Sequence, residues 1–289
     1  MSKDAATISD ISFQATDGFP LNGKLYLPDG PPTDIIMIGG AVAVPQKVYR
    51  HIATYLASRG AAVFTYDYRG IGASPAEDLK TFKAPMQYWA NRDFAAAIDW
   101  MSGRFPDTKM KLLCHSFGGQ AFGLSDRSNH FSKAVMVAAL AGYWGNFDWP
   151  ESWRIYIAMQ ILSPLIARIY SYLPGKYSGF GEDMAWSTFS SWAEWCKKPD
   201  YFFDAESVPE TRHFADYTGD ILSIRLTDDK WGTSRAVDRL VDRFSTATIT
   251  KQIVSPDSIG VKKIGHFGFF RPDHKDKLWA ETADWLLSD

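Results

Sequence analysis

The chain has 289 residues, of which 46% are hydrophobic and 22% charged, with a formal net charge of −2. That is enough apolar material for one large domain, or for a core domain carrying an insertion. The near-neutral balance and the lack of any Lys/Arg run argue against nucleic acid or an anionic membrane as partner.

Two cysteines, Cys114 and Cys196, make no disulfide framework, and a reducing compartment is expected. Residues 1–10 contain no apolar stretch of the secretory type. The longest apolar stretch, 155–173, is interrupted by Gln160, Pro164 and Arg168, which is wrong for a bilayer span. A soluble, cytoplasmic protein is the expectation.

In chain order, residues 11–16 alternate apolar and polar, and 22–27 follow after Asp17-Gly18, which predicts a β-hairpin at a sheet edge. Residues 34–40 are apolar after Asp34, as expected for a strand covered on both faces. A helix over 49–59 carries Ile52 and Leu56 and stops at Gly60; a buried strand follows at 61–66. A helix over 86–101 sets Ala90, Phe94, Ala97, Ile98 and Met101 on one face.

Strands are predicted at 110–114 and 131–138, and again at 220–226 and 249–254. An amphipathic helix with Ala236, Val237, Leu240, Val241 and Phe244 lies between the last two, and a helix with Leu278, Trp279, Trp285 and Leu286 closes the chain. Strands alternating with helices imply an α/β fold with a mostly parallel sheet wrapped on both faces. Residues 143–214 break this rhythm, with no convincing strand and many aromatic residues. They read as a helical cap or lid inserted into a core made of 1–142 and 215–289, with aromatic side chains lining an apolar pocket.

The stretch Lys111-Leu112-Leu113-Cys114-His115-Ser116-Phe117-Gly118-Gly119 ends an apolar run at a serine followed by two glycines. It predicts a strand, a sharp turn with Ser116 at the corner, and a helix. Cys114-His115-Ser116-Phe117-Gly118 is the G-x-S-x-G pattern with cysteine in the first glycine position.

These residues resemble the α/β-hydrolase family, and the resemblance covers nearly the whole chain. Asp67-Tyr68-Arg69-Gly70-Ile71-Gly72-Ala73-Ser74 is similar to that family's D-x-R-G-x-G-x-S segment, and Ile264-Gly265-His266-Phe267-Gly268-Phe269-Phe270 to its histidine loop. Within the family the chain is most similar to a poorly characterised group of predicted hydrolases. The resemblance implies an eight-stranded, mostly parallel sheet with the active site at the C-terminal ends of the strands.

Of six histidines, His266 has the setting of a general base, between two glycines after the last strand. His51 falls in a helix, and His130 and His213 in polar surroundings. His274 is expected near solvent beside Lys275 and Asp276, and His115 is expected to pack or orient. The acid should follow the strand at 220–226, where Asp228 and Asp229 are adjacent. The family pattern, with Leu226 in its glycine position, implies Asp229, and leaves Asp228 as a cap or turn residue. The order Ser116, Asp229, His266 is that of α/β-hydrolases.

The resemblance also implies an oxyanion hole formed by the Phe117 amide and by a second amide after Gly39-Gly40, either Ala41 or Val42, with Ala41 preferred. Asp67 and Arg69 are read as structural residues that shape the loop beside the site. No metal motif, P-loop or dinucleotide fingerprint occurs, so no cofactor is expected.

The expected function is a serine hydrolase acting through an acyl-enzyme on a small ester or thioester with an apolar acyl or aryl part. The alternatives are an acyltransferase or perhydrolase with the same triad, or a small-molecule-binding protein of this fold that lacks turnover.

Overall fold

The computed structural model describes residues 6–106, 108–178, 181–203, 206 and 208–288. Eight strands form one sheet: β1 (Thr7–Gln14), β2 (Pro20–Leu27), β3 (Asp34–Gly39), β4 (Ala61–Tyr66), β5 (Met110–His115), β6 (Phe131–Val137), β9 (Asp220–Leu226) and β10 (Thr248–Val254). Between β6 and β9 the two-residue strands β7 (Tyr172–Leu173) and β8 (Met184–Ala185) pair with each other. The eight run in the order β1-β2-β4-β3-β5-β6-β9-β10, with β1 and β2 antiparallel and every pair from β4 to β10 parallel. The α/β class and the strand count agree with expectation.

The central strands are continuous apolar runs because both faces are covered. Alternate side chains feed two separate cores. Ile35, Met37, Leu112, Ala134 and Met136 enter the larger one; Ile36, Ile38, Leu113, Val135 and Val137 enter the smaller. The larger core is closed by α2 (Ala95–Arg104), α3 (Phe117–Leu124) and α8 (Ser234–Val241), and the smaller by α1 (Arg50–Ser58) and α10 (Ala280–Leu287), with the single turn α9 (Gly265–Gly268) between β10 and α10. Gly60, with φ of +99°, ends α1 as the sequence suggests. Phe244 lies beyond the end of α8 yet is fully buried beside it.

Residues 143–214 hold α4 (Glu151–Ile157), α5 (Ser163–Tyr170), α6 (Gly175–Ser178) and α7 (Trp186–Lys197), with a wide helical turn joining α4 to α5. The β7–β8 pair is the strand structure that the sequence did not suggest there, because two-residue strands leave no periodicity to read. Hydrogen bonds from Ala84 N–H and Met86 N–H to the Ser187 and Ser191 hydroxyls, and from the Thr188 hydroxyl to Ala84 O, tie α7 to the core. The outer face of the α4–α5 run is apolar, with Trp153, Ile157, Ile161, Leu165 and Ile169 exposed at four-residue spacing.

Asp67 and Arg69 both shape the loop after β4, but with different partners. Asp67 accepts from the Gln46 and Ala73 amides and from the Gln46 side chain. Arg69 pairs with Asp93 at 2.6 Å and with Asp17 at 2.8 Å, and its side chain and that of Asp93 are buried. Removing one partner of such a pair strands a buried charge. Arg69→Met is expected to cost about 3–5 kcal/mol in urea unfolding, and an Arg69→Met/Asp93→Leu double variant to recover most of it. A single variant as stable as the parent would show that the pair contributes nothing.

Candidate active site

The strand-to-helix turn after β5 puts Ser116 at φ +50°, ψ −109°, a left-handed conformation rare for a residue with a side chain. Its amide is held by Val137 O at 3.0 Å, and α3 begins at the next residue. The turn fits because Gly118 lies against β3: a Cβ there would stand 2.2 Å from Gly39 O. Cys114, in a glycine position, is accommodated as a fully buried side chain of the larger core. Gly39 and Cys114 are paired across β3 and β5, and a Cβ on Gly39 would be in ordinary contact with the Cys114 sulfur at 3.7 Å but tight against the Phe94 ring at 3.2 Å. Burial pushes the Cys114 thiol well up, so it is an inert packing group.

His266 and Asp229 come from neighbouring parallel strands. Asp229 follows β9, His266 follows β10, and Leu226 pairs with Val254 at their ends. His266 Nδ1 donates to Asp229 Oδ2 at 2.6 Å, with both side chains buried. Asp229 Oδ1 accepts from Trp231 N–H at 2.9 Å. A Cβ at Gly232 would fall 2.5 Å from Asp229 Oδ2, so the carboxylate has its room only beside a glycine. With Nδ1–H fixed on a carboxylate, Nε2 of a neutral imidazole is left as the acceptor.

Asp228 is more than a turn residue. Its carboxylate accepts from the Ile264 and Gly265 amides at 2.8 and 2.9 Å and so grips the backbone just before His266. Adjacent carboxylates therefore hold the same loop, one by its ring and one by its main chain.

The other histidines are engaged elsewhere. His274 is buried, not solvated, and its Nδ1 bonds Gly268 O at 2.8 Å; its charged neighbours gave the wrong impression because the ring turns inward. His130 meets the Ser102 hydroxyl and His213 meets Asp216. His115 is wholly buried, and burial followed by the nearby His266 holds its pKa well below the usual imidazole range.

Ser116 and His266 line one cavity of about 330 Å³, together with Ala41 and Val42. The Ala41 amide, the preferred second oxyanion donor, already donates to the Tyr49 hydroxyl at 2.8 Å. The Phe117 and Val42 amides have no hydrogen-bond partner among the described residues.

Residues 143–214 contribute Phe147, Ile155, Met159, Trp192, Cys196 and Tyr201 to the cavity wall. Its polar groups are spent on one another: Trp192 Nε1–H donates to the Tyr201 hydroxyl, which donates to Gln120 Oε1, while Gln120 Nε2 donates to Leu140 O. Trp231 packs edge-on to the His266 ring at 4.9 Å and donates from Nε1 to Glu151 at the start of α4. Gln120, Trp231 and Tyr49 carry no sequence signal that marks them as site residues.

Residues 33–197, more than half the chain, match the family model described as serine aminopeptidase, S33. The chain belongs to this family and is an α/β-hydrolase. Among curated relatives, mouse (Mus musculus) monoglyceride lipase is 28% identical over 126 residues, 43% of this chain and 41% of that protein. Esterase FrsA of Yersinia enterocolitica is 34% identical over 71 residues, 24% of this chain and 17% of that protein. The matched portion spans less than half the length of either relative. Among solved structures, the α/β-hydrolase GrgF of Penicillium sp. sh18 shares the fold with a TM-score of 0.63 at 17% identity, covering 97% of this chain and 99% of that one. The Pyrococcus furiosus esterase Pf2001 does so with a TM-score of 0.62 at 13% identity, covering 97% and 92%.

The elbow's dependence on Gly118 is open to test. Gly118→Ala meets backbone rather than a movable side chain, and is expected to lower stability by about 1–3 kcal/mol or more. Thermal unfolding would show this; an unchanged midpoint would mean that α3 can shift away from β3 freely.

Proposed function

We propose that the protein hydrolyses small esters or thioesters with an apolar acyl or aryl part, using Ser116 as nucleophile, His266 as general base and Asp229 as its orienting acid. The observation that carries this reading is the sharing of one apolar cavity by a strained, half-buried serine and a histidine whose other nitrogen is fixed on a buried carboxylate.

Ser116 Oγ attacks the carbonyl carbon while His266 Nε2 takes its proton. The carbonyl oxygen becomes an oxyanion, held by the Phe117 amide and by Val42 in preference to Ala41, whose N–H is already spent. His266 returns the proton to the departing alcohol or thiol, leaving an acyl-enzyme. His266 then takes a proton from water, which attacks the acyl carbon, and returns that proton to Ser116 Oγ as the acid departs. Asp229 stays ionised and stabilises the imidazolium formed in each step.

Esters are favoured over peptides with a free amino terminus, despite the family's name. No Asp or Glu is among the described residues lining the cavity, so nothing there would hold a protonated amine. The self-satisfied polar groups of Gln120, Tyr201 and Trp192 leave the wall suited to an apolar group. The names of the curated relatives, an esterase and a monoglyceride lipase, agree with this choice.

Residues 143–214 serve in this reading as a lid over the core made of 1–142 and 215–289. Its α7 end is fixed by the bonds to residues 84–86, and the α4–α5 run is held by the Trp231–Glu151 bond and by Gln160 Nε2 donating to Ala193 O, so opening the lid requires breaking these contacts. An acyl acceptor other than water would convert the same steps into acyl transfer.

Ser116→Ala should abolish turnover of p-nitrophenyl butyrate and labelling by a fluorophosphonate probe without loss of the fold. Full activity in that variant would end the proposal. Asp229→Asn should cut kcat by roughly 10⁴-fold, since the amide favours the wrong imidazole tautomer. If Asp228→Asn had the larger effect on kcat, the acid would have to be reassigned.

A further inference from the structure

His115 and Tyr49 form a hydrogen-bonded chain whose direction is set by chemistry. The Ala41 N–H donates to the Tyr49 hydroxyl at 2.8 Å. The Tyr49 hydroxyl lies 3.0 Å from His115 Nδ1, and His115 Nε2 lies 3.0 Å from His266 O. A carbonyl oxygen can only accept, so Nε2 carries the proton. A neutral imidazole has one, so Nδ1 must accept from the tyrosine. Every bond in the chain is satisfied by one tautomer and no other.

The chain links the loop after β3 to the backbone of His266 through the residue next to Ser116. We infer that Tyr49 and His115 are positioning residues that set the spacing between the oxyanion amides and the general base. This inference rests on the hydrolase reading above.

Three features favour it over plain packing. Tyr49 consumes the Ala41 amide and thereby selects Val42 as the amide left to face the cavity. The same slot calls for glycine at position 40, since a Cβ there would stand 3.2 Å from the Tyr49 ring. His115 also lies with its ring centroid 5.0 Å from that of His266, where a second cation would oppose formation of the imidazolium. Its burial keeps it neutral.

The chain can be cut at either end. Tyr49→Phe keeps the ring in its slot but removes both tyrosine bonds. His115→Asn retains an acceptor near the Nδ1 position and loses the reach to His266 O; His115→Gln does the reverse. On p-nitrophenyl butyrate each variant is expected to lose about 10- to 100-fold in kcat with KM little changed, the cost of misplacing groups by a fraction of an ångström to one ångström. Affinity for phenylboronic acid, whose tetrahedral adduct on Ser116 reads the oxyanion site, should fall in parallel.

If Tyr49→Phe lowers the thermal midpoint but leaves kcat and boronate affinity at parent values, the pair is packing and the inference is wrong. Should the His115 variants fail to fold, Tyr49→Phe decides alone. Imidazole ¹⁵N spectra of the parent give a readout independent of turnover: His115 should be a neutral Nε2–H tautomer at neutral pH. An Nδ1–H or protonated His115 would overturn the chain. A parent that neither hydrolyses esters nor takes a fluorophosphonate would instead sink the hydrolase reading.

Discussion

The turn at Ser116 is the constraint on which the rest depends. A residue with a side chain is held at positive φ between a fully buried strand and a fully buried helix. Such strain persists only where the surroundings over-determine the backbone. Here they do so through α3, all of whose residues are buried, and through the contact of Gly118 with Gly39 O, which locks the helix start onto β3. The same proximity places the loop after β3 beside Ser116, so one backbone contact sets both the hydroxyl and the amides near it.

Parallel topology does the remaining assembly. β9 and β10 end side by side, and the residues just after them meet without either strand having to bend. The histidine loop is then held at three points: the Asp229 carboxylate takes the ring, the Asp228 carboxylate takes two amides ahead of it, and His115 takes the carbonyl. Each hold is a hydrogen bond between buried or part-buried groups, where leaving either partner unpaired is costly. A single helical turn over Gly265–Gly268, too short to be stable by itself, thus gains the rigidity of a core element.

The 143–214 segment has two apolar faces with different destinations. Ile155 and Met159 turn toward the cavity, while Trp153, Ile157, Ile161, Leu165 and Ile169 face outward. Glu151 and Trp231 join this segment to the histidine's surroundings, so the roof of the cavity and the proposed base share a contact.

Much of the fold was legible in the residues, because buried parallel strands are unbroken apolar runs and the helices between them carry one apolar face. Ser116 and His266 stood out for local reasons, a serine among small residues at a strand end and a histidine between glycines, whereas Asp229 was separated from Asp228 only by the family resemblance. Partners were another matter. Nothing near His274 foretold its burial, nothing in Asp67 and Arg69 foretold that they would choose Gln46 and Asp93 over each other, and Tyr49 looked like an ordinary helix residue. By itself the sequence determined the elements, their order and the residue types that local backbone demands, since these follow from short-range sterics and burial. Only the tertiary structure decided which amide, carboxylate and ring face one another, because hydrogen-bond direction between residues far apart in the chain is set by packing alone.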